Sequence, residues 1–388
     1  MNFRKTMLAA SIAAACVSTA FAADPKMPEK PAVPTLGQVM EATGISVNGY
    51  IDASYTYNSG NATYRIFDTE RRSFNVNALD LTLSALPPDG FGGMVNLTAG
   101  SDAKVIGSVG TTTTDEFDVT QAYVHFAKGG LMVIGGKYVT LSGAEVIKSP
   151  SNTNFSRSIL FGYAIPFAHT GVRAYFTPGG SAAAPDGKWT FIAGFNNGWD
   201  VQSESLQQAA ADGSKAISKT LELGANGSLT KAISLAVVYY SGKESCGITA
   251  ACGIPTSGDR KLLDLVATFT VTDNLSFVLN YDKAEQDKAL TGGTKAKWNG
   301  LAAYANYKIS DPWRVSFRTE SFDDKDGFRT GTTQKLKEST LTLAHIPAKN
   351  VELRAEYRKD KSDQSVFTEN GSTKTSQDSL GLEAIYKF

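Results

Sequence analysis

Hydrophobic and polar residues alternate with a period of two along most of the chain after residue 44. Val351, Leu353, Ala355 and Tyr357, for example, are separated by single charged residues. This period places apolar side chains on one face of a β-strand and charged side chains on the other. About sixteen such segments occur, each close to the length that a tilted transmembrane strand needs. The predicted strands are 45–57, 74–86, 91–100, 118–128, 131–139, 169–177, 188–198, 218–228, 233–242, 261–271, 275–284, 297–309, 313–322, 337–346, 350–360 and 378–388.

The segments between these strands alternate between short and long. Typical short connections are Pro87–Gly90 and Gly129–Gly130, whereas 140–168 is the longest connection, and only 178–187 is longer than its place predicts. Outer-membrane barrels have short periplasmic turns and long external loops, while a soluble β-sandwich has no reason to alternate loop length. The fold class predicted is therefore all-β, a transmembrane antiparallel β-barrel of about sixteen strands.

The C-terminal segment has the pattern of a final barrel strand. Leu380, Leu382, Ala384 and Tyr386 alternate with small or polar residues, and Phe388 ends the chain. Outer-membrane barrels resemble one another in ending on such a strand with a terminal aromatic residue. We therefore expect Tyr386 and Phe388 to be the signal that the barrel-assembly machinery reads.

The N-terminal residues have the pattern of a secretory signal peptide. Arg4 and Lys5 precede a short apolar segment, and Ala20-Phe21-Ala22 forms a small-residue cleavage site. Ala13–Cys16 offers a weaker alternative, a lipoprotein box that lacks the usual leucine. The chain is thereby divided into a signal peptide at 1–22, a Pro-rich periplasmic linker with a short helix at 23–44 and an outer-membrane barrel at 45–388.

Composition and charge limit the remaining classes of function. The formal net charge of +0 gives no basic surface for nucleic acid, and the mean hydropathy of −0.17 is too low for a bundle of membrane helices. Cys246 and Cys252 remain after export and predict a loop disulfide, with two free thiols as the alternative. None of the three histidines is near them in sequence, so no metal site is expected, and no cofactor motif is present.

Several stretches of the first half resemble one family of outer-membrane proteins. They are Gly44–Tyr55, Arg72–Asn75, Gln121–Val124, Ser151–Ser158 with its continuation through Pro166 to Val172, and Asn197–Asp200. In these stretches the chain resembles the OmpL-like family of β-barrel porins, whereas the second half is similar in pattern only. The resemblance implies a pore-forming barrel but does not name a solute.

The 140–168 connection is the candidate pore constriction. It is the third long connection, and in general porins the third external loop folds into the lumen. We therefore expect Glu145, Lys148 and Arg157, with Arg173 of the next strand, to line the narrowest point, where positive groups would favour anions. The alternative is that Arg157 ties the loop to the wall, because the backbone of a buried loop must be hydrogen-bonded.

Charged residues also recur on the predicted inner face of two late strands. Their signs are mixed, so they predict no strong ion selectivity, and a solvated or paired face is the alternative to an ion-pair ladder across the lumen wall. These lumen-wall candidates are Arg314, Arg318, Glu320, Glu352, Arg354, Glu356 and Arg358.

The predicted function is an outer-membrane porin that forms a water-filled channel for passive diffusion of small hydrophilic solutes. The expected partners are outer-membrane lipid and lipopolysaccharide, the barrel-assembly machinery, and small polar solutes or ions, with a homo-oligomer left open. A substrate-selective channel is the nearest alternative. An enzyme or an adhesin is less favoured, since no catalytic set accompanies His125 or His169 and no connection is long enough for an external domain.

Overall fold

The wall of the molecule is one closed antiparallel sheet. The computed structural model describes residues 35–107, 116–180, 189–203, 219–245, 257–290 and 292–388. Its sixteen wall strands confirm the predicted fold class and strand number. They are β1 (Ser46–Asn58), β2 (Arg72–Ala85), β3 (Gly90–Ala99), β4 (Phe117–Lys128), β5 (Leu131–Val139), β6 (Ala168–Phe176), β7 (Thr190–Asn196), β8 (Thr220–Thr230), β9 (Ile233–Ser245), β10 (Ser257–Thr272), β11 (Leu275–Gln286), β12 (Ala296–Ser310), β13 (Trp313–Asp324), β14 (Gln334–Ala348), β15 (Val351–Ser362) and β18 (Ser376–Lys387).

The remaining elements are short and belong to the connections and the N-terminal segment. They are α1 (Leu36–Thr43), α2 (Ser101–Ile106), α3 (Ile159–Tyr163), a 3₁₀ turn at Ser149–Ser151, and a hairpin of β16 (Phe367–Glu369) and β17 (Ser372–Lys374). Before α1, Thr35 accepts a hydrogen bond from the Gln38 amide at 3.3 Å and donates its own amide to the Gln38 side chain at 2.8 Å. No helix of the described residues is long and apolar enough to cross a membrane.

Most wall strands bury a largely polar face and expose an apolar face, the reverse of a soluble sheet. On β15, Arg354 and Glu356 are buried inside the barrel, while Leu353 and Tyr357 are 42% and 45% exposed on the outside. The outer face meets hydrocarbon, which accepts apolar side chains without penalty. The period of two therefore assigns every residue of a strand to the lumen or to the lipid.

Pairing of the first and last strands closes the barrel. Ala53 of β1 lies opposite Ala384 of β18, and Gly49 exchanges two backbone hydrogen bonds of 2.9 Å with Phe388. A Cβ atom at Gly49 would lie 2.5 Å from the Phe388 ring, so the close approach of the terminal ring requires glycine there. Closure leaves no unpaired sheet edge in the membrane.

A β-bulge in β2 accounts for a change of phase in the sequence. The pairing of β1 with β2 passes from Ala78 to Val76, so that Asn77 is the extra residue. Its side chain points into the lumen, where it accepts a hydrogen bond of 2.8 Å from Ser54. The sequence pattern places this phase change between Ala78 and Leu79, close to the observed bulge.

The loops fill a large part of the lumen near the external end. The third long loop, L3 (140–167), contributes Ile159, Leu160 and Phe161 to an apolar cluster with the lumen faces of β10 to β14. The wall supplies Leu262 and Trp298 among others to this cluster, and both are fully buried. Apolar residues on the lumen side of these strands were not expected from the sequence, and they exclude water from one side of the barrel.

We predict that the seam formed by Phe388 is needed for assembly. Deleting Phe388 removes two backbone hydrogen bonds, worth about 1 kcal/mol each, and leaves the last strand without its terminal ring. Tyr386→Asp places a charge on the lipid-facing side of the same strand, at a cost that depends on depth. Both changes should reduce the fraction of folded, heat-modifiable protein in the outer membrane.

Phe388→Tyr is the matched control for this prediction, since it keeps the ring and both backbone bonds. Folded protein at wild-type levels in the deletion variant would contradict the role of the seam.

Candidate functional site

L3 leaves the wall after β5, crosses the lumen and contacts the opposite side. The Gly143 amide donates to an Asp264 carboxylate oxygen at 3.0 Å, and the Ala144 amide donates to the Asn280 side-chain oxygen at 3.1 Å. Asp264 and Asn280 belong to β10 and β11, far from the ends of the loop along the wall. The loop therefore lies inside the barrel, as its length and position predict.

Two glutamates of the wall hold the backbone of L3. Glu356 accepts hydrogen bonds from the amides of Phe155 and Ser156 at 2.7 and 3.0 Å. Glu320 accepts from the amides of Ile159 and Leu160 at 2.6 and 3.0 Å. Each carboxylate binds two successive N–H groups at a bend or helix start, where no backbone acceptor is available. These two residues fix the position of the loop in the lumen.

Arg318 connects the wall to the interior of L3 from β13. Its guanidinium donates to Glu145 and to the Ser156 carbonyl, both at 2.6 Å, and to Glu338 of β14 at 3.1 Å. The side chain is 0% exposed, so all of its hydrogen-bonding capacity is directed at protein groups. Glu145 is thereby paired with a wall residue and is not left as an isolated negative charge in the lumen.

Two further arginines, on β15, bind carbonyl groups of the same loop. Arg354 donates to the Asn152 carbonyl at 2.8 Å and to Glu383 of β18 at 2.9 Å. Arg358 donates to the Arg157 carbonyl at 2.5 Å and to Asp360 at 2.8 Å. Guanidinium donors on the wall thus complement the carboxylate acceptors. Both N–H and C=O groups of the L3 backbone are therefore hydrogen-bonded to the wall.

Arg157 lies within L3, and the loop's own backbone surrounds it. Its guanidinium donates to the carbonyls of Val146, Ile147 and Phe155 at 2.8 to 2.9 Å and lies 5.2 Å from the centre of the Phe67 ring. The residue is 2% exposed. This geometry supports the tether interpretation of Arg157, because no face of the guanidinium remains for a passing solute.

In the part of the chain that the structure describes, Arg173 and Arg314 form no hydrogen bond with L3 itself. Arg173 donates to Glu222 of β8 at 2.9 Å and stacks on Tyr138 at 4.1 Å from the ring centre. Arg314 donates to Glu352 at 2.6 Å. Glu352 also accepts a bond of 2.7 Å from Arg354, so an ion-pair chain runs along this part of the lumen wall.

Lys148 is the one charged L3 candidate with substantial exposure, since 32% of its side chain is accessible. Its ammonium group leaves the loop and reaches β2, donating to Asp80 at 3.0 Å and to Thr82 at 2.7 Å. It lines a cavity of about 260 Å³ between L3 and β3 to β5, together with Asn96, Gln121 and Phe161. This cavity is polar along the wall and partly apolar along the loop.

Helix α2 carries a buried acid into the same region of the lumen. Asp102 is 2% exposed, and burial raises the pKa of its carboxyl group to about 8, although the positive charge of Arg157 acts in the opposite direction. The nearby negative charges of Glu383 and Asp68 add to the rise in pKa. Asp102 is therefore held largely in its neutral form at pH 7.

Several residues of this site were not predicted from the sequence. Asp80, Glu338 and Glu383 all lie on lumen-facing positions of correctly predicted strands, so the alternation signal was sufficient to include them. Asp264 and Asn280 required knowledge of which strands L3 contacts. Cys246 and Cys252 lie outside the described residues, so the disulfide stays a prediction. Among the residues that the structure describes, no cluster of His, Cys, Asp or Glu is arranged to hold a metal ion.

The sixteen-stranded closed wall with a loop held in its lumen is the architecture of outer-membrane porins. Residues 44–388 match the model of the family described as "Putative beta-barrel porin-2, OmpL-like", and the chain belongs to that family. It is thus an outer-membrane porin channel, and family and fold indicate a channel rather than an enzyme. None of the curated proteins matches the chain.

Solved porin structures share the fold at low sequence identity. The anion-selective porin from Comamonas acidovorans has a TM-score of 0.62 and 12% identity, covering 89% of this chain and 99% of its own. The outer-membrane channel DcaP of Acinetobacter baumannii has a TM-score of 0.60 and 13% identity, covering 89% and 97%. OmpT of Vibrio cholerae, described in a trimer form, has a TM-score of 0.60 and 11% identity, covering 89% and 99%.

We predict that Glu356→Ala loosens L3 and destabilises the barrel. The change leaves the amides of Phe155 and Ser156 without their acceptor, and each lost bond to a charged group costs roughly 1.5–3 kcal/mol. Denaturant unfolding of the purified barrel should show the lower stability, and limited proteolysis should show faster cleavage within L3.

Glu285→Ala is the control for Glu356→Ala, because Glu285 pairs with Lys295 at the partly exposed end of β11. Equal loss of stability in both variants would show that Glu356 has no special part in holding the loop.

We predict that Asp102 makes the barrel less stable as the pH rises. With a pKa of about 8 in the folded protein and 3.8 as the reference value, the folded state holds a proton that the unfolded state has lost between these values. Stability from this group is therefore complete below about pH 4 and decreases until the pH passes about 8. Thermal unfolding from pH 4 to 9 should show a shallower decrease for Asp102→Asn than for the wild type. Parallel curves for the two proteins would contradict this assignment.

Proposed function

We propose that the channel conducts small hydrophilic solutes passively along one side of L3, through the cavity beside Lys148. The observation that carries the proposal is the division of the lumen by L3. On the side of β10 to β15 the loop is bound to the wall through Glu320, Glu356 and Arg318, whereas a cavity remains on the side of β3 to β5. Solutes that fit beside L3 are small, because the cavity that remains there has a volume of about 260 Å³.

The charges along this path favour weak ion selectivity. Lys148 is paired with Asp80, and Glu145 is paired with Arg318, so the side chains next to the cavity come in opposite signs. Asn96 and Gln121 add neutral amide groups. A near-neutral constriction gives no strong field to exclude either anions or cations. The anion selectivity named for the Comamonas porin therefore does not carry over to this chain by fold alone.

The protein is exported and inserted into the outer membrane before it conducts solutes. The charged residues, apolar segment and Ala20-Phe21-Ala22 motif support a signal peptide that is removed before insertion into the outer membrane. Lipid and lipopolysaccharide surround the exposed apolar face of the wall. The trimer form described for OmpT supports a homo-oligomer for this chain as well.

We predict that the mature protein begins at Ala23. Mass spectrometry of the N-terminal peptide from purified outer membranes is the measurement. A diacylated Cys16 at the N-terminus would instead establish the lipoprotein alternative.

We predict that Lys148→Ala increases single-channel conductance in planar bilayers. The lysine spans from L3 to β2 beside the cavity, so its removal widens the path and leaves Asp80 without its cation. The reversal potential in a salt gradient should shift towards cation preference. Lys295→Ala is the matched control, because that lysine is exposed on an external loop.

Arg157→Glu distinguishes between Arg157 as a pore-lining residue and Arg157 as a tether of L3. Because Arg157 binds three carbonyls of its own loop, the change should destabilise the barrel, while the channels that still fold keep their selectivity. A clear selectivity change in stable Arg157→Glu channels, with none in Lys148→Ala, would place the path on the other side of the loop and overturn the proposal.

A further inference from the structure

The cavity beside L3 has one polar side and one apolar side. Asn96 of β3 and Gln121 of β4 line the polar side, whereas Val146 and Phe167 of L3 line the apolar side. Val146 is 41% exposed, although the next residue, Ile147, is only 7% exposed. Apolar side chains that remain accessible inside a pocket bind the apolar part of a ligand. An occupant of this cavity is therefore expected to have one polar end and one apolar end.

Asn96 has a buried hydrogen-bond acceptor that lacks a donor. Its amide nitrogen donates to Asp80 at 2.8 Å and to the Thr82 hydroxyl at 3.0 Å, and these bonds fix the orientation of the amide group. The side-chain oxygen of Asn96 accepts no hydrogen bond from the described residues, and the residue is 0% exposed. Nearly all buried polar atoms of folded proteins are hydrogen-bonded, so this exception requires a partner from outside the chain. The position fits a ligand that donates a hydrogen bond.

Lys148 has a hydrogen-bond donor that the protein does not use. Its ammonium group carries three N–H donors. Two of them bind Asp80 at 3.0 Å and Thr82 at 2.7 Å, and no third acceptor is bound among the residues that the structure describes. Since 32% of the side chain is accessible, the remaining N–H is open to an acceptor in the cavity. A carboxylate is a suitable acceptor, because hydrogen bonds between two charged groups are short and strong.

Opposite charges adjoin at the polar end of the cavity. Asp80 accepts hydrogen bonds from both Lys148 and Asn96, so one carboxylate connects the two residues. A purely anionic ligand at Lys148 would also meet the negative charge of Asp80, and a purely cationic ligand would meet the positive charge of Lys148. Glu145 does not alter this balance, because Arg318 pairs with it at 2.6 Å. The site therefore matches a ligand that carries a positive and a negative group close together.

We propose that the cavity beside L3 is a binding site for an α-amino acid with an apolar side chain. The carboxylate of the ligand binds Lys148, its ammonium group donates to the side-chain oxygen of Asn96, and its side chain packs on Val146 and Phe167. The cavity volume of about 260 Å³ is below the roughly 300–1,000 Å³ of pockets for drug-sized ligands, so the cavity holds one small molecule. The inference rests on the proposed path beside L3 and names the class of solute that the path favours.

The test compares L-leucine with three molecules that each lack one of its parts. Isocaproate lacks the ammonium group, isoamylamine lacks the carboxylate, and free glycine lacks the side chain. Calorimetric titration of the folded full-length mature protein in detergent measures binding, and block of the single-channel current in planar bilayers measures the effect on the pore. L-leucine should bind at least about tenfold more tightly than each of the three, because each loses a charge-assisted hydrogen bond or the apolar contact.

Three variants assign the parts of the ligand to residues of the cavity. Lys148→Ala should weaken binding of L-leucine at least about tenfold, because it removes the partner of the carboxylate. Asn96→Ala should weaken L-leucine to the level of isocaproate and leave isocaproate unchanged, because it removes the acceptor of the ammonium group. Val146→Ser should weaken L-leucine towards the level of free glycine and leave glycine unchanged. Lys295→Ala is the control and should bind L-leucine as the wild type does, since that lysine is exposed on an external loop.

Equal binding of L-leucine and isocaproate, or of L-leucine and free glycine, would overturn the proposal, as would unchanged binding in Lys148→Ala. If Asn96→Ala does not fold, the comparison of ligands on the wild type decides the role of the ammonium group. The conductance of Lys148→Ala distinguishes this proposal from the proposed path. If its conductance rises but the wild type does not bind L-leucine, only the amino-acid site is wrong. If the wild type binds L-leucine with these preferences but neither the ligand nor Lys148→Ala changes the current, the site is right and the proposed path is wrong.

Discussion

The structure depends on hydrogen bonds between charged side chains of the wall and the backbone of L3. A loop inside a barrel carries peptide groups that water no longer solvates fully, and each of these groups requires a partner. Glu320 and Glu356 supply the acceptors, while Arg318, Arg354 and Arg358 supply the donors. The position of the loop, the size of the remaining space and the burial of the wall charges all follow from this set of bonds.

Burial of the arginines that hold L3 is tolerated because each one is paired with a carboxylate. An isolated ion in a low-dielectric interior costs several kcal/mol, and removal of one partner transfers that cost to the other. Arg318 binds Glu145, Glu338 and a carbonyl, so its charge is compensated in several directions. The same pairing makes these residues poor candidates for direct contact with solutes. Side-chain charges that are bound to L3 cannot also interact with solutes in the channel. Lys148 is exposed because its side chain spans the cavity between L3 and the wall.

The inner face of each strand contacts the lumen and the outer face contacts lipid, so the two faces differ in composition. On the lumen side, polar residues predominate near L3, but Leu262, Trp298 and other apolar residues pack against the loop where it forms a dry core. On the outer side, apolar residues such as Leu341 and Tyr357 predominate until the external edge, where Ser339 and Lys359 lie opposite each other. Solved porins share the fold at 11–13% identity, so the barrel does not require particular residues at most positions.

The sequence by itself determined the wall. Alternation with a period of two is a local property of each strand, so the strands can be counted from the sequence. The alternation of short and long loops indicates on which side of the membrane each connection lies. The sixteen strands and their order therefore follow without tertiary information. The partners of the lumen charges were decided only by the tertiary structure. Arg157 is next to serines in the sequence but bonds to carbonyls ten or eleven residues earlier, and Glu356 binds amides two hundred residues away. Those distances are set by where L3 crosses the barrel, which depends on the packing of Ile159, Leu160 and Phe161 against the far wall. A local pattern shows that a residue faces the lumen, but only the packed loop decides whether the residue meets water, a solute or another part of the chain.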